Sequence, residues 1–447
     1  MERYFHVQQC FHAVGHGTFF TGLVWDEARR TPVFSWAYDC GSKSTTSLTA
    51  ALDAVNSSPF IPDLIDLLVI SHFDNDHVNG VKDLLQSKQI RWLAVPYLDL
   101  FQQAEQIAIG DASSCSASTA LFQHDPVRWL KVNGLSEQVN TIIFVKGGSE
   151  TKTPDEGHKP DTPHGPLPKP EGAEPSSLNE MDSEVTYPNS LDDLFQHPAI
   201  TKKSGIATME LSHSVSFGLG EVPIEFKFFN SNQPDLFDIE SGARVARISR
   251  APIEVVQAEL EIALKASGLD NPATIDRKWR FRFKEVYERH FGRSGMQRNN
   301  ISLCLMVQPI IEVESCGLFP NHESILHDSP KKTDGSSLQR SGLLCLGDLK
   351  IDFPTISSMQ CHYGIDRWDN LAVVQVPHHG SKDSWTPGVA AKFASDHFVH
   401  CVPERSGGYF PHKFVSDDLS SLSTAKVHRA DYRNSVTLNY HFPHCPA

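Results

Sequence analysis

The chain has 447 residues and a formal net charge of −14, because 54 acidic residues outnumber 40 basic ones. This balance argues against a protein that coats nucleic acid with its whole surface, since backbone binding relies on clustered Lys and Arg, but it permits a local basic groove. No apolar stretch approaches the roughly 20 residues that span a membrane, and residues 1–17 lack a signal-peptide pattern. The nine Cys include no C-x-x-C pair, so neither a disulfide framework nor a zinc ribbon is indicated. We therefore expect a cytoplasmic protein that does not contact a membrane.

The first part of the chain alternates between apolar runs and helical patterns, which is typical of an α/β protein. Strands are predicted at residues 5–14, 19–25, 33–38 and 90–95. One helix is predicted at residues 48–55, and another begins with residues 81–86. The turn Gly15-His16-Gly17 separates the first two strands, and the third strand ends at Asp39. The glycines in this turn permit close approach of neighbouring backbone.

The most informative stretch follows an apolar run at residues 66–70, which predicts a buried strand. Four side chains that can bind a divalent ion come directly after it, namely His72, Asp74, Asp76 and His77. Imidazole nitrogens and carboxylate oxygens together suit a divalent ion with mixed coordination. Open α/β sheets also place their ligands beyond the carboxyl ends of strands. The alternative, a solvated loop in which Asp and Asn only shape a turn, explains this dense set of ligands less well.

The composition changes at Gly147. Residues 148–195 are rich in Pro, Gly, Ser, Thr and Glu, and they predict a flexible insertion that buries too little apolar surface to offset its ordering entropy. Residues 196–298 are predicted as a partly helical insertion. Its clearest helix spans residues 252–266, with Pro252 at its start and Gly268 just past its end. The whole 148–298 stretch is a candidate docking segment for a protein partner.

A second helix is predicted at residues 272–291, where basic and aromatic residues alternate. Such alternation can hold a phosphate backbone with stacked bases. The alternative is an amphipathic surface helix whose aromatic residues face the core, and we favour this alternative. The residues concerned are Arg277, Lys278, Trp279, Arg280, Phe281, Arg282, Phe283 and Lys284.

From residue 299 the strand pattern resumes, with predicted strands at 301–307, 343–346, 371–376 and 398–402. Asp348, then His378 and His379, and finally His412 follow the last three of these strands. Because strand ends of one polarity meet at one edge of a sheet, we expect these residues to join Asp39 and the loop after residue 70. That arrangement would encode a two-metal hydrolytic centre.

These motifs resemble the metallo-β-lactamase superfamily, whose signature H-x-H-x-D-H follows a strand and precedes a Gly-Asp and a further His. The sequence looks most like the branch found in the soluble hydrolase domain of ComEC/Rec2 competence proteins. That branch carries S-H-x-D-x-D-H-x-x-G, which residues 71–80 match. Its other motifs are matched, in order, at residues 15–17, 39–41, 299–302, 347–348 and 378–381. The resemblance covers residues 1–147 and 299–447, as the first and second halves of the fold.

The resemblance implies an α/β (α+β) fold, an αββα metallo-β-lactamase sandwich with a long middle insertion. It also implies one or two divalent metal ions, zinc or manganese, with magnesium credible because Asp74 stands where most of the superfamily has His. The implied metal ligands are His72, Asp74, Asp76, His77, His379 and Asp348, with Asp348 bridging. His412 is the alternative to His379. No His occupies the usual third motif before Gly347, so one metal position is expected to be weak.

The function expected from this set is hydrolysis by metal-activated water, and the substrate expected is a phosphodiester, DNA or RNA. Asp76 would orient or deprotonate the water, and His378 would protonate a leaving oxygen or bind phosphate. His412 would contact metal or substrate, and a second reading of His378 is that it only orients His379. Two alternatives stay open. One is hydrolysis of a small ester, lactone or nucleotide, which the acidic net charge favours, and the other is a non-catalytic regulatory subunit with a degenerate metal site.

Overall fold

The fold is taken from a computed structural model. The residues that it describes are 4–98, 100–109, 115–147, 179–180, 201–203, 206–219, 222–231, 252–269, 271, 274–291, 302–309, 313, 315–320, 336–338, 340–403 and 410–443. Within these ranges the chain is a mixed α/β protein with two mixed sheets and helices. No helix in these ranges is long and apolar enough to cross a bilayer.

The strands, in chain order, are β1 (Tyr4–Phe11), β2 (Phe19–Asp26), β3 (Thr31–Cys40), β4 (Leu64–Val69), β5 (Gln89–Pro96), β6 (Val139–Lys146), β7 (Asn179–Glu180), β8 (Thr201–Lys203), β9 (Ile206–Ser212), β10 (Ser216–Leu219), β11 (Val222–Asn230), β12 (Leu303–Pro309), β13 (Ser315–Pro320), β14 (Ser336–Ser337), β15 (Gly342–Cys345), β16 (Leu371–Gln375), β17 (His397–Cys401), β18 (Lys426–Ala430) and β19 (Val436–Pro443). The larger sheet has the order β14-β13-β19-β1-β2-β3-β4-β5-β6-β9-β8, and the smaller sheet has the order β18-β17-β16-β15-β12-β11-β10-β7.

The helices are α1 (Thr45–Ser57), α2 (Asn75–Val78), α3 (Val81–Ser87), α4 (Leu100–Ile109), α5 (Ala117–His124), α6 (Pro126–Val132), α7 (Ile253–Ser267), α8 (Trp279–Phe291), α9 (Phe353–Tyr363), α10 (Ile365–Asp369) and α11 (Lys413–Ser420), with short 3-10 turns at Pro377–Gly380, Lys382–Ser384 and Val389–Lys392. Local chemistry explains their ends. The Ser44 hydroxyl accepts a hydrogen bond from the Ser47 amide and caps α1. Gly268 ends α7 in the left-handed region at φ 63°, as the sequence predicted.

Three clusters of buried apolar residues hold the sheets and helices together in layers. One lies between the two sheets, where the Phe226 ring of β11 packs 5.3 Å from Phe34 and 5.1 Å from Trp36 of β3. A second joins the larger sheet to helices that include α1, α3, α5, α7 and α8. The third joins the smaller sheet to α9, α10 and α11. β4 is covered on both faces, so five of its six residues are buried in succession, Asp66 among them, rather than every second one.

The middle of the chain contributes to both sheets. β9 pairs in parallel with β6 in the larger sheet, and β11 pairs with β12 in the smaller one. These strands fall inside residues 196–298, which the sequence analysis treated as an insertion. Of the flexible insertion predicted at residues 148–195, the structure describes 179–180 alone, so that prediction lies otherwise outside the described residues.

The basic and aromatic helix α8 is an ordinary packed helix. Phe283 is fully buried and Trp279 is 9% exposed, whereas Phe281 is 59% exposed. Arg282 pairs with Asp276 at 2.7 Å, and Arg289 pairs with Glu259 at 2.6 Å. The favoured interpretation, aromatic residues facing the core, therefore describes two of the three aromatic residues named for this stretch in the sequence analysis.

Parallel pairing brings the predicted site residues to one edge. In the larger sheet, β3 and β4 run in parallel, so Asp39 near the end of β3 lies beside the loop that follows β4. In the smaller sheet, β15, β16 and β17 are parallel as well. The two edges are joined by hydrogen bonds from the Leu303 amide to the Ser71 carbonyl, at 2.8 Å, and from the Tyr38 hydroxyl to the Leu303 carbonyl, at 2.9 Å.

Candidate metal centre

The loop after β4 buries its potential ligands instead of exposing them. His77 is fully buried, and His72 and Asp76 are 4% and 7% exposed. Asp76 and His77 lie on the single turn of α2, while His72 lies in the loop just before it. Ionisable groups are seldom buried unless they are paired or hold a metal.

The first group of ligands consists of His72, His77 and Asp348, which sits just beyond β15. The Nε2 atom of His77 lies 3.2 Å from Oδ1 of Asp348, and Nε2 of His72 lies 3.5 Å from Oδ2 of the same carboxylate. The Ser302 hydroxyl accepts a hydrogen bond of 3.1 Å from the Asp348 amide. Ser302, in the motif at residues 299–302, therefore helps to position this carboxylate.

The second group consists of His16, Asp76 and His379. Nε2 of His16 and Nε2 of His379 lie 3.4 and 3.5 Å from Oδ2 of Asp76. His379 follows β16, so this group also draws on both sheets. All six residues of the two groups are buried or nearly so.

The two groups adjoin each other. The rings of His77 and His379, one from each group, have centroids 5.7 Å apart, and those of His72 and His77 are 4.1 Å apart. The two groups of three candidate ligands therefore form one composite cluster, which we call the candidate metal centre.

Hydrogen bonds behind the rings fix which nitrogen faces the centre. Nδ1 of His77 donates to Oδ2 of Asp39 at 2.7 Å, and Nδ1 of His379 donates to the Cys401 carbonyl at 2.7 Å. The Ser71 hydroxyl donates to Asp39 at 2.7 Å and so accepts from Nδ1 of His72 at 2.9 Å. In the neutral form of each ring the proton is then on Nδ1, and Nε2 presents a lone pair.

A divalent cation fits these donors. The Nε2 atoms of His72, His77 and His379 and the Oδ1 atom of Asp348 are buried and make no hydrogen bond. Buried polar atoms without partners are uncommon and mark sites of ligands, ions or water. Imidazole lone pairs facing carboxylates need a positive charge between them, and zinc or manganese accepts this mixture of nitrogen and oxygen ligands.

The electrostatics agree with a site for positive charge. Burial alone would lower the pKa of His77, but Asp348 and Asp39 outweigh it and hold that pKa well above its ordinary value. Burial alone would raise the pKa of Asp348, but the imidazoles of His378, His77 and His72 hold it well below. The carboxylate is therefore ionised at neutral pH, and a metal ion bound here would compete with a proton for His77.

The backbone around the centre is strained. Of the four non-glycine residues with positive φ in the described ranges, three belong to this region: Asp39 at 55°, His378 at 48° and His379 at 55°. Such conformations are unfavourable and cluster at functional sites. Gly41 permits a close approach of this loop, because a Cβ there would lie 2.5 Å from the backbone of Asp76 and His77.

The other predicted residues lie around this centre. Asp74 is half-buried at the N-terminus of α2 and belongs to neither three-residue group found in the described chain. His378 is 27% exposed, 3.5 Å from Asp348 through Nε2 and 2.8 Å from the Ser384 hydroxyl through Nδ1. His412 caps α11, since its Nδ1 accepts from the Phe414 amide at 3.4 Å, and it too is outside both groups. The ligand roles of Asp74 and His412 stay predictions.

Sequence reasoning missed His16. It lies between two glycines, and the Gly-x-Gly pattern drew the interpretation to the turn rather than to the residue inside it. A histidine in a turn that adjoins a predicted ligand loop was the available signal. The structure makes His16 the third member of the second group.

In comparisons with known proteins, no family model and no curated protein matches the chain. The centre is therefore interpreted from its own residues. Its buried His and Asp groups could hold a metal ion, which the sequence had predicted at this edge.

Proposed function

We propose that this chain is a metal-dependent hydrolase of the metallo-β-lactamase type, and that its substrates are phosphodiesters of DNA, RNA or a related class. Three features support this proposal together. They are the ordered motifs of the sequence, two facing sheets with helices on their outer faces, and two adjoining His/Asp groups at the shared edge of the sheets.

One observation carries the proposal. Three imidazoles from distant parts of the chain, His72, His77 and His379, are each held by a hydrogen bond at Nδ1 while Nε2 is buried without a partner. A structural hydrogen-bond network would satisfy both nitrogens, because leaving a buried polar atom unpaired destabilises the fold by about 1–3 kcal/mol. A site pre-organised for a cation accounts for all three unpaired atoms at once.

A divalent ion bound here would lower the pKa of its bound water to about 7 and would polarise a phosphoryl oxygen. The protein's own residues would do the rest. Burial alone would raise the pKa of Asp76, but the nearby imidazoles of His379 and His77 lower it. Asp76 is thus an ionised carboxylate at neutral pH, suited to orient a water or to accept its proton.

The accessible side of the centre suits an anionic substrate. Lys43 is half exposed, and its Nζ lies 3.6 Å from Oδ2 of Asp76. His378 is the other accessible donor, and burial lowers its pKa, so the ring is neutral at pH 7. A neutral His378 would bind a phosphate oxygen rather than protonate a leaving group. The helix α8, whose Arg282 and Arg289 are engaged in ion pairs, is not required for this binding.

The test is turnover of bis(p-nitrophenyl) phosphate, single-stranded DNA and RNA with added Mn²⁺ or Zn²⁺. Asp76→Asn and Asp348→Asn should each reduce turnover by more than about 100-fold, since even outer-shell changes at metal sites reduce activity by 10–100-fold. Asp83→Asn, an exposed carboxylate on the adjacent α3, is the matched control and should keep wild-type turnover.

Two outcomes would contradict the proposal. Hydrolysis of a p-nitrophenyl ester or a lactone, with no phosphodiester turnover, would identify a small-molecule hydrolase instead. A purified chain that takes up neither Mn²⁺ nor Zn²⁺ would indicate a non-catalytic subunit with a degenerate centre.

A further inference from the structure

A third group of candidate metal ligands lies on β1, on β19 and just after β2. His6 on β1 and His441 on β19 are direct cross-strand partners in the antiparallel pairing. Their rings stack at 4.2 Å with an interplanar angle of 23°. Glu27, which directly follows β2, places its Oε1 3.3 Å from Nδ1 of His441. One ligand atom from each residue lies within 4.8 Å of the other two.

We propose that His6, Glu27 and His441 form a separate transition-metal site, most suited to Zn²⁺, which we call the terminal-strand site. It is distinct from the candidate metal centre. His6 lies five residues before the end of β1, which is roughly 16 Å along a strand, and His16 of the centre lies beyond that end.

The Nε2 atom of His6 is the strongest reason. It is buried without a hydrogen bond of good geometry, although the Asn439 side chain interacts with the ring. In the neutral ring this nitrogen can offer a lone pair to an ion. A cation there would give this buried nitrogen a partner of good geometry.

The donor set selects the class of ion. Two imidazoles and one carboxylate, with a fourth position open to water, form a common tetrahedral zinc arrangement, whereas Mg²⁺ and Ca²⁺ prefer oxygen ligands alone. Zinc bonds of about 2.0–2.2 Å require ligand atoms roughly 3.3–3.6 Å apart. Oε1 of Glu27 and Nδ1 of His441 already have this spacing at 3.3 Å, and all three ligand atoms lie within 4.8 Å of one another.

The bound ion would tie together three strands of the larger sheet. β1 pairs with both β2 and β19, and each of the three ligands comes from one of these strands or from its end. Since β1 and β19 lie at opposite ends of the sequence, the ion would close a loop of nearly the whole chain. A metal that binds only the folded state stabilises it by mass action.

The experiment is zinc content and Zn²⁺ titration calorimetry of the 447-residue chain. His441→Gln should lose one zinc equivalent relative to wild type. Glu27→Gln should weaken the binding of that same zinc equivalent by more than about 10-fold. Glu27 is 46% exposed, so this variant tests binding without disturbing the core. In an Asp348→Asn background the terminal-strand equivalent should remain, and it should disappear when His441→Gln is added.

His428→Gln is the matched control. His428 also lies on a strand beside another histidine, His397, with 2.9 Å between ring nitrogens, and it belongs to none of the three-residue groups in the described chain. The His428→Gln variant should contain as much zinc as wild type. Equal zinc content in wild type, His441→Gln and Glu27→Gln would overturn the proposal, and so would an equal loss in the control.

Discussion

Nδ1 of His77 donates a 2.7 Å hydrogen bond to Oδ2 of Asp39, which lies 38 residues earlier in the chain. Both side chains are fully buried. The carboxylate also accepts from the amide and the hydroxyl of Ser71, each at 2.7 Å. Asp39 therefore orients a candidate ligand without facing the ion, as carboxylates commonly do behind metal-binding histidines.

Asp39→Asn should weaken metal binding by about 10–100-fold. Asn tolerates the left-handed backbone at this position, so the loop keeps its course, but an amide cannot accept from Ser71 and His77 as a carboxylate does. Titration calorimetry with Zn²⁺ or Mn²⁺ measures the change. Asp26→Asn is the control, because Asp26 is equally buried and accepts from the Ala28 and Arg29 amides in the β2–β3 turn. If both variants bind metal alike, Asp39 has no orienting role.

Gly41→Ala should remove metal binding and destabilise the fold by about 1–3 kcal/mol. The added methyl group would lie 2.5 Å from the backbone of Asp76 and His77, so the turn that carries both ligands must move. Chemical denaturation and metal content measure the two effects. Gly134→Ala is the control, since its φ of 70° strains any side chain but nothing lies within 4 Å of the added atom. Gly134→Ala should lower the stability of the fold and leave the metal content unchanged.

Lys43→Gln should raise KM for a phosphodiester by about 10-fold, equivalent to about 1.4 kcal/mol, with a smaller effect on kcat. The reason is that its half-exposed ammonium group beside Asp76 is placed to meet an anionic substrate. The effect should shrink as ionic strength rises. Lys82→Gln, on the exposed face of α3, should leave KM unchanged. A fall in kcat alone would contradict a binding role for Lys43.

Asp66 should make the stability pH-dependent. Burial raises its pKa to about 6 although Arg91 and Ser35 oppose the shift, so the folded state holds a proton that the unfolded state releases near its ordinary value. Stability should then fall as pH rises from about 4 to about 6, by about 3 kcal/mol at 1.36 kcal/mol per pKa unit. Urea unfolding of wild type and Asp66→Asn at pH 4 and pH 7 measures it. The stability of the variant relative to wild type should rise over this range, and a constant difference would exclude the effect.

Much of the secondary structure could be predicted from local pattern alone. The strand before His72 and the helix ending at Gly268 were both predicted close to their observed bounds, because apolar periodicity and capping residues act over a few neighbouring positions. The ligand loop could be predicted for the same reason. His72, Asp76 and His77 follow a single strand, so any fold that buries this strand brings them to one place.

Only the tertiary structure decided which distant side chains meet. His16 enters the second group, and Asp39 stands behind His77, because strand order and register place the ends of β1, β3 and β4 together. The same pairing seats β9 and β11 inside the two sheets, although their stretch of sequence looked like an insertion. The pairing of strands depends on contacts between residues far apart in the chain. The local periodicity of the sequence carries no information about such contacts. The sequence by itself thus determined where candidate metal ligands are concentrated, and the packing of two sheets determined how they are grouped.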